Sequence, residues 1–150
     1  MNYIKEAENY LRHYASFKKA AKHARHMIAK ISNRGAPSDK VTASYDITGI
    51  HADHPVNTLN DLYELQKWRQ VLENNMQEIN HIESILDDIG SREGCRDFKK
   101  ILIMWYVERK DKDLIAEELS YSRRNLFYLK ARAIEMFAID LFGILAIEAM

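Results

Sequence analysis

The sequence predicts an all-α protein, a long antiparallel helical hairpin followed by a C-terminal helix-turn-helix unit. Three observations carry this. Gly (5) and Pro (2) are scarce in 150 residues, which favours long helices over many short strands joined by tight turns. Apolar residues recur at spacings of three and four over two long stretches, the period of one helix face. Near the C-terminus, two shorter stretches of the same period flank a break at Ser120-Tyr121.

The hairpin is expected to occupy residues 1–90. In residues 2–33, Ile4, Ala7, Leu11, Tyr14, Phe17, Ala21, Ala24, Ile28 and Ile31 draw a single stripe among Lys, Arg, His and Glu. Asn33-Arg34-Gly35 followed by Pro37 stops that helix, because Gly suits a left-handed cap and Pro cannot continue the ladder. Residues 34–57 hold Gly35, Pro37, Gly49 and Pro55 and read as a loop of roughly 20 residues, with a short extended piece at Ser44–Ile50. Residues 58–89 carry the second stripe, Leu62, Leu65, Trp68, Leu72, Met76, Ile79, Ile82, Leu86 and Ile89, and Gly90 is expected to close the helix. Each stripe left in water would cost about 1.5–3 kcal/mol per large side chain, so each helix must pack on another. The sequence leaves open whether the covering helix belongs to the same chain.

Charge is segregated although the total is zero. Residues 1–34 carry +6, residues 35–56 −2, residues 57–90 −5, residues 91–134 +4 and residues 135–150 −3. A basic helix lying on an acidic one leaves the second basic block for an outside partner.

Residues 91–150 form the second expected domain. Asp97–Val107 reads as a helix with Phe98, Ile101, Leu102, Trp105 and Tyr106 inward, followed by a helix over Asp111–Leu119. A last helix begins at Ser122 and runs past Phe137, with Gly143 as its weak point. The apolar tail Leu141–Met150 either folds back on the hairpin or makes a homodimer contact. Trp68 and Trp105 both fall on apolar stripes and are read as core.

Several function classes are set aside. One Cys excludes a disulfide framework and a Cys-based zinc site, which makes a reducing cytoplasm the expected compartment. No run of about 18 apolar residues occurs and the N-terminus is not signal-like, so a soluble protein with no membrane role is expected. His23/His26 and His51/His54 each offer two ligands where zinc needs three or four, so neither a metal nor a cofactor is expected. Cys95 has no identifiable base partner, and the adjacent pairs Asp87-Asp88 and Glu117-Glu118 point in different directions on a helix. With no Gly-rich phosphate loop either, an enzyme is not expected.

The run from Asp113 to Leu129, DLIAEELSYSRRNLFYL, carries the functional expectation. Ile115 and Leu119 face inward, Ala116 sits where two helices cross closely, Tyr121 fills the turn and Ser122 caps the next helix. Leu126 and Leu129 anchor that helix. Its outward face is then Arg123, Arg124, Phe127, Tyr128 and Lys130, with Asn125 near the front. Arg and Asn in the first turn of such a helix make bidentate contacts to guanine and adenine, while Lys130 and Arg132 suit phosphates. Two Arg at a helix N-terminus oppose the macrodipole by a few tenths of a kcal/mol, which argues for a use. The plainer alternative is a helical hairpin whose cations are merely solvated.

The stretch YVERKDKDLIAEELSYSRRNLFYLKARAIEMFA resembles the C-terminal helix-turn-helix, region 4, of bacterial sigma factors. Its length, placement and continuation resemble sigma-like regulators of phages and prophages of the ArpU/RinA type. The resemblance covers about 50 C-terminal residues. It implies binding of double-stranded promoter or operator DNA by Ser122, Arg123, Arg124, Asn125, Phe127, Tyr128, Lys130 and Arg132, in concert with host RNA polymerase, in the bacterial cytoplasm. Ser120 stands where that family usually has Gly. A left-handed residue there would cost about 1–2 kcal/mol without Gly, so a different turn geometry is expected. Two alternatives remain: a small terminase-like DNA-packaging subunit, and a coiled-coil protein-binding module that does not touch DNA.

Overall fold

The computed structural model describes residues 2–33 and 59–150, and among these the chain is helical with no strand. The expected loop at 34–57, its Ser44–Ile50 segment and the His51/His54 pair lie outside the described residues. Two long helices come first, α1 (Tyr3–Asn33) and α2 (Leu59–Ser91). Asn2 opens α1, its side-chain oxygen accepting from the backbone N–H groups of Ile4 and Lys5 at 3.1 and 3.2 Å.

The two helices pack on each other. Tyr10 donates to Glu78 at 2.6 Å and Tyr14 donates to Glu83. Further along, the His23 ring stands edge-on to Trp68 at 5.2 Å. Early α1 thus meets late α2 and late α1 meets early α2, which is the antiparallel pairing. The expected α1 stripe is buried at Ala7, Leu11, Tyr14, Ala21, Ala24 and Ile31. On α2 the inward residues are Leu65, Ile79, Ile82, Ile85, Leu86 and Ile89.

Two expectations for α2 are corrected. Leu62 is 47% exposed while Asp61 is buried. Both lie within one turn of Leu65, at spacings of three and four, so periodicity alone does not decide which one turns inward. Nor does Gly90 close the helix. The ladder continues to Ser91, whose hydroxyl donates to the Asp88 carbonyl at 2.7 Å, and the left-handed residue is Gly94 (φ 78°). At Gly90 a Cβ would meet the Lys99 Cβ at 3.4 Å, an ordinary van der Waals contact, and the residue stays inside the helical ladder.

The chain forms two compact units, Met1–Phe17 with Glu78–Met150, and Lys18–Gln77. In the first, the start of α1 and the end of α2 are joined by α3 (Phe98–Leu102), a π-helical turn (Ile103–Val107), α4 (Lys112–Leu119), α5 (Arg123–Phe142) and α6 (Ile144–Ala149). The expected single helix Asp97–Val107 therefore changes type halfway. The Glu108 N–H reaches back five residues to the Ile103 carbonyl at 2.9 Å, and the Lys110 N–H six residues to Met104 at 2.9 Å. Phe98, Ile101, Leu102 and Tyr106 are buried as expected, whereas Trp105 is only half-buried. Tyr106 lies under the Arg12 guanidinium, 5.5 Å from its ring centroid.

Gly143 (φ 63°) separates α5 from α6. Of the tail, Ala146 is buried, while Ile144, Leu145, Ile147 and Met150 are exposed. Tyr3 and Phe142 meet at 5.1 Å, and Asn2, Tyr3 and Ile4 share a groove of about 510 Å³ with Ala146, Ala149 and Met150. No helix of the described residues is long and apolar enough to cross a membrane.

Candidate nucleic-acid interface

The region from the π-turn to α5 is held by one small core. Ile101, Met104, Ile115, Ala116 and Leu126 are buried together, with Trp105, Leu119, Tyr121 and Leu129 packed against them. Every inward residue expected of the Asp113–Leu129 run is in this cluster. Ala116 lets α4 and α5 approach because its side chain ends at Cβ.

The link between α4 and α5 is three residues long. Ser120 takes φ 61°, ψ 40°, and its N–H donates to the Glu117 carbonyl at 3.2 Å. The Tyr121 N–H donates to the Ala116 carbonyl at 2.9 Å, and its side chain packs against the core cluster that contains Ala116. These two bonds and that contact make a Schellman motif, with Ser120 in the position that favours Gly. The expectation of a different turn geometry is thus corrected: the left-handed turn forms, and Ser120 bears its cost. The Tyr121 hydroxyl donates to Asp97 at 2.6 Å, which pins the turn to the start of α3 and raises the phenol's pKa.

Ser122 follows in extended conformation (φ −70°, ψ 155°), and its hydroxyl accepts from the Asn125 N–H at 3.1 Å. This is the N-cap the sequence implies. It starts α5 with Arg123, Arg124 and Asn125 in the first turn, all exposed.

The structure divides the expected outward face in two. Arg124, Asn125, Tyr128 and Arg132 are exposed, and Arg124, Tyr128 and Arg132 follow one another at spacings of four. The Arg132 guanidinium lies 5.8 Å from the Tyr128 ring, as such neighbours on a helix do. Arg123, Phe127 and Lys130 turn the other way, toward the π-turn and α4. Phe127 is half-buried and edge-on to Trp105 at 5.2 Å, the Arg123 guanidinium lies 5.7 Å from Phe127, and the Lys130 ammonium lies 4.9 Å from Trp105. A rotation of about 100° per residue separates 123 from 124 and 127 from 128, so the eight candidates cannot share one face.

Two residues outside the expected set join the second face. Lys112, the first residue of α4, places its ammonium 5.2 Å from Trp105 and 5.4 Å from Phe127. Trp105, read as core, is a half-buried platform between the core and these cations. Sequence reasoning missed both because the contact joins three elements, although the recurrence of Lys, Arg and aromatics around residue 105 and the Asp113–Leu129 run was visible. Asp113 tempers the charge from the other side, 3.7 Å from Arg123.

Elsewhere, His23 is taken up against Trp68, and the Lys67 ammonium lies 4.9 Å from the same indole. Among the described residues no group of three or more His, Cys, Asp or Glu is placed to hold a metal ion.

Among the described residues the fold is all-helical, with two long antiparallel helices and, at Arg123, the start of a capped helix whose first turn exposes cations. The chain matches no family model, and no curated protein or solved structure is detectably similar to it.

Proposed function

We propose that the protein is a sequence-specific DNA-binding regulator of transcription, encoded by a phage or prophage and acting with host RNA polymerase in the bacterial cytoplasm. In this reading α4, the turn and α5 are a DNA-binding helix-turn-helix. The observation that carries it is the start of α5. Ser122 caps the helix, Leu126 anchors it in the core, and Arg124, Asn125 and Tyr128 are left exposed on one side of the first two turns. The helix dipole disfavours Arg at that end by a few tenths of a kcal/mol, which supports a use for the charge.

The division of labour follows from chemistry. Arg124 and Asn125 carry the donor and acceptor patterns that read base edges in a major groove, and Arg132 reaches phosphate further along the same face. Tyr128 offers its ring to sugar or to a thymine methyl group. Ser122 positions the helix and does not read sequence itself.

The test is a mobility-shift titration against duplexes covering the DNA around the gene, at two salt concentrations. One duplex should shift discretely, more weakly at high salt, and Arg124→Ala should cost roughly 1–3 kcal/mol of that specific binding. Undiminished affinity and discrimination in Arg124→Ala and Asn125→Ala would sink the recognition-helix assignment. Absence of any shift by the folded protein would point instead to protein binding by the helical surfaces.

A further inference from the structure

We propose that Trp105 holds Lys112 and Lys130 as a clamp for phosphates of one DNA strand, beside the base-reading turn of α5. The inference rests on the DNA-binding reading above and assigns to the π-turn and α4 a role in it.

Lys112 and Lys130 come from different helices, yet their ammonium groups lie 5.2 and 4.9 Å from the centroid of one indole ring. They are therefore within 10.1 Å of each other. Arg123 joins them through Phe127, whose ring stands edge-on to Trp105. Three cations from two helices thus converge on two rings. Among the described residues the one ion pair given to this cluster is the exposed Arg123–Asp113 contact at 3.7 Å.

Like charges on flexible stems separate into water unless something holds them. Here the negative faces of the rings do so, since an aromatic quadrupole attracts an ammonium or guanidinium group lying over it. The result is a positive surface gathered around one indole. Its span suits a polyanion with regularly spaced charge. Successive phosphates of one DNA strand lie about 3.4 Å apart along the helix axis, so two of them fall within reach of the two lysines. Lys serves such a site well, because its ammonium binds phosphate as a point charge from many directions.

The placement relative to α5 assigns the occupant. Arg124, Asn125, Tyr128 and Arg132 face away from the indole, while Lys112, Lys130 and Arg123 surround it. One helix then presents two surfaces, one that reads bases in its first turns and reaches phosphate only at Arg132, and one fitted to backbone alone. This is the separation by which phosphate contacts set register while base contacts set sequence. Trp105 acts through the lysines and is a positioning residue.

Fluorescence anisotropy of labelled duplexes over a range of salt tests the clamp, using the full chain, the duplex that shifts in the titration above and one of scrambled sequence. Lys112→Gln/Lys130→Gln should weaken binding to both duplexes by a similar factor. It should also lower the slope of log affinity against log salt by about 1.8, at about 0.9 per phosphate contact, and leave the ratio between the duplexes unchanged. Trp105→Leu should weaken binding to both duplexes, and Trp105→Phe should restore most of the loss by keeping a ring face. Circular dichroism establishes that each variant is folded. A wild-type chain that binds, with an unchanged salt slope in the double lysine variant, overturns the clamp alone. A wild-type chain that binds no duplex overturns the DNA reading and the clamp with it. Loss of discrimination rather than of overall affinity in the double lysine variant would also overturn it, since these lysines would then be reading bases.

Discussion

Two serines flank the α4–α5 turn, and they should respond to substitution in opposite directions. Ser120 sits in a left-handed conformation that its Cβ disfavours, with both Schellman bonds already made by the backbone. Ser120→Gly should therefore stabilise the protein by about 1 kcal/mol in urea unfolding, as the strain goes and no bond is lost. Ser122 adopts an ordinary extended conformation and supplies a side-chain acceptor to the Asn125 N–H. Ser122→Ala should cost about 1 kcal/mol in the same measurement. A destabilised Ser120→Gly variant would show that the hydroxyl or the loss of chain freedom outweighs the strain. The sequence exposes this contrast only in part. A cap residue before a helix is recognisable locally, but whether a turn tolerates a strained serine depends on the bonds that close around it.

Elements were legible where one face is buried and one is wet. Ile115, Ala116, Leu119, Leu126 and Leu129 could be placed inward from spacing alone, and all of them meet in one core. Leu126 is fully buried at its centre, so Leu126→Ala should cost about 2–5 kcal/mol and loosen α5 from α4, read as a drop in the unfolding midpoint. Spacing failed at the start of α2, where Asp61 and Leu62 are equally compatible with the turn that follows. It also failed at Ile103–Val107, an apolar run without Gly or Pro that gives no warning of a π-turn. A π-turn carries one residue more than the α-helical turn it replaces, and such turns are frequent at functional sites. Deleting one residue within 103–107 should restore an ordinary ladder and turn Trp105 relative to Lys112 and Lys130; under the proposed DNA-binding role this lowers affinity for duplex while the helical content is kept. The cationic face itself was half legible. Arg123, Arg124 and Lys130 were visible on α5, but its partition into two surfaces follows from contacts with Trp105 and Lys112, elements that periodicity treats separately.

Across the molecule, tyrosines couple stability to alkaline pH. Tyr10 donates to Glu78, which with burial pushes its pKa up to about 12 from an ordinary 10. Tyr14 is raised further, by burial and by its bond to Glu83, and Tyr106 chiefly by burial. Each is raised in the folded state, so the stability they contribute is complete below pH 10; that of Tyr10 is lost as pH climbs through about 12, and that of Tyr14 and Tyr106 at higher pH still. The thermal midpoint should fall steeply over that interval, and Tyr10→Phe should flatten the fall. An unchanged midpoint from pH 9.5 to 12 would show that these phenols ionise without penalty. The same contacts have a consequence for biosynthesis. Residues 1–17 belong to one compact unit with residues 78–150, and Tyr10 and Tyr14 donate to Glu78 and Glu83, so early α1 meets this surface only after α2 has been made. At about 5–20 residues per second, the some 74 residues from Phe17 to Ser91 take roughly 4–15 s to synthesise. During that interval nascent α1 waits with its apolar stripe still without the helix that will cover it.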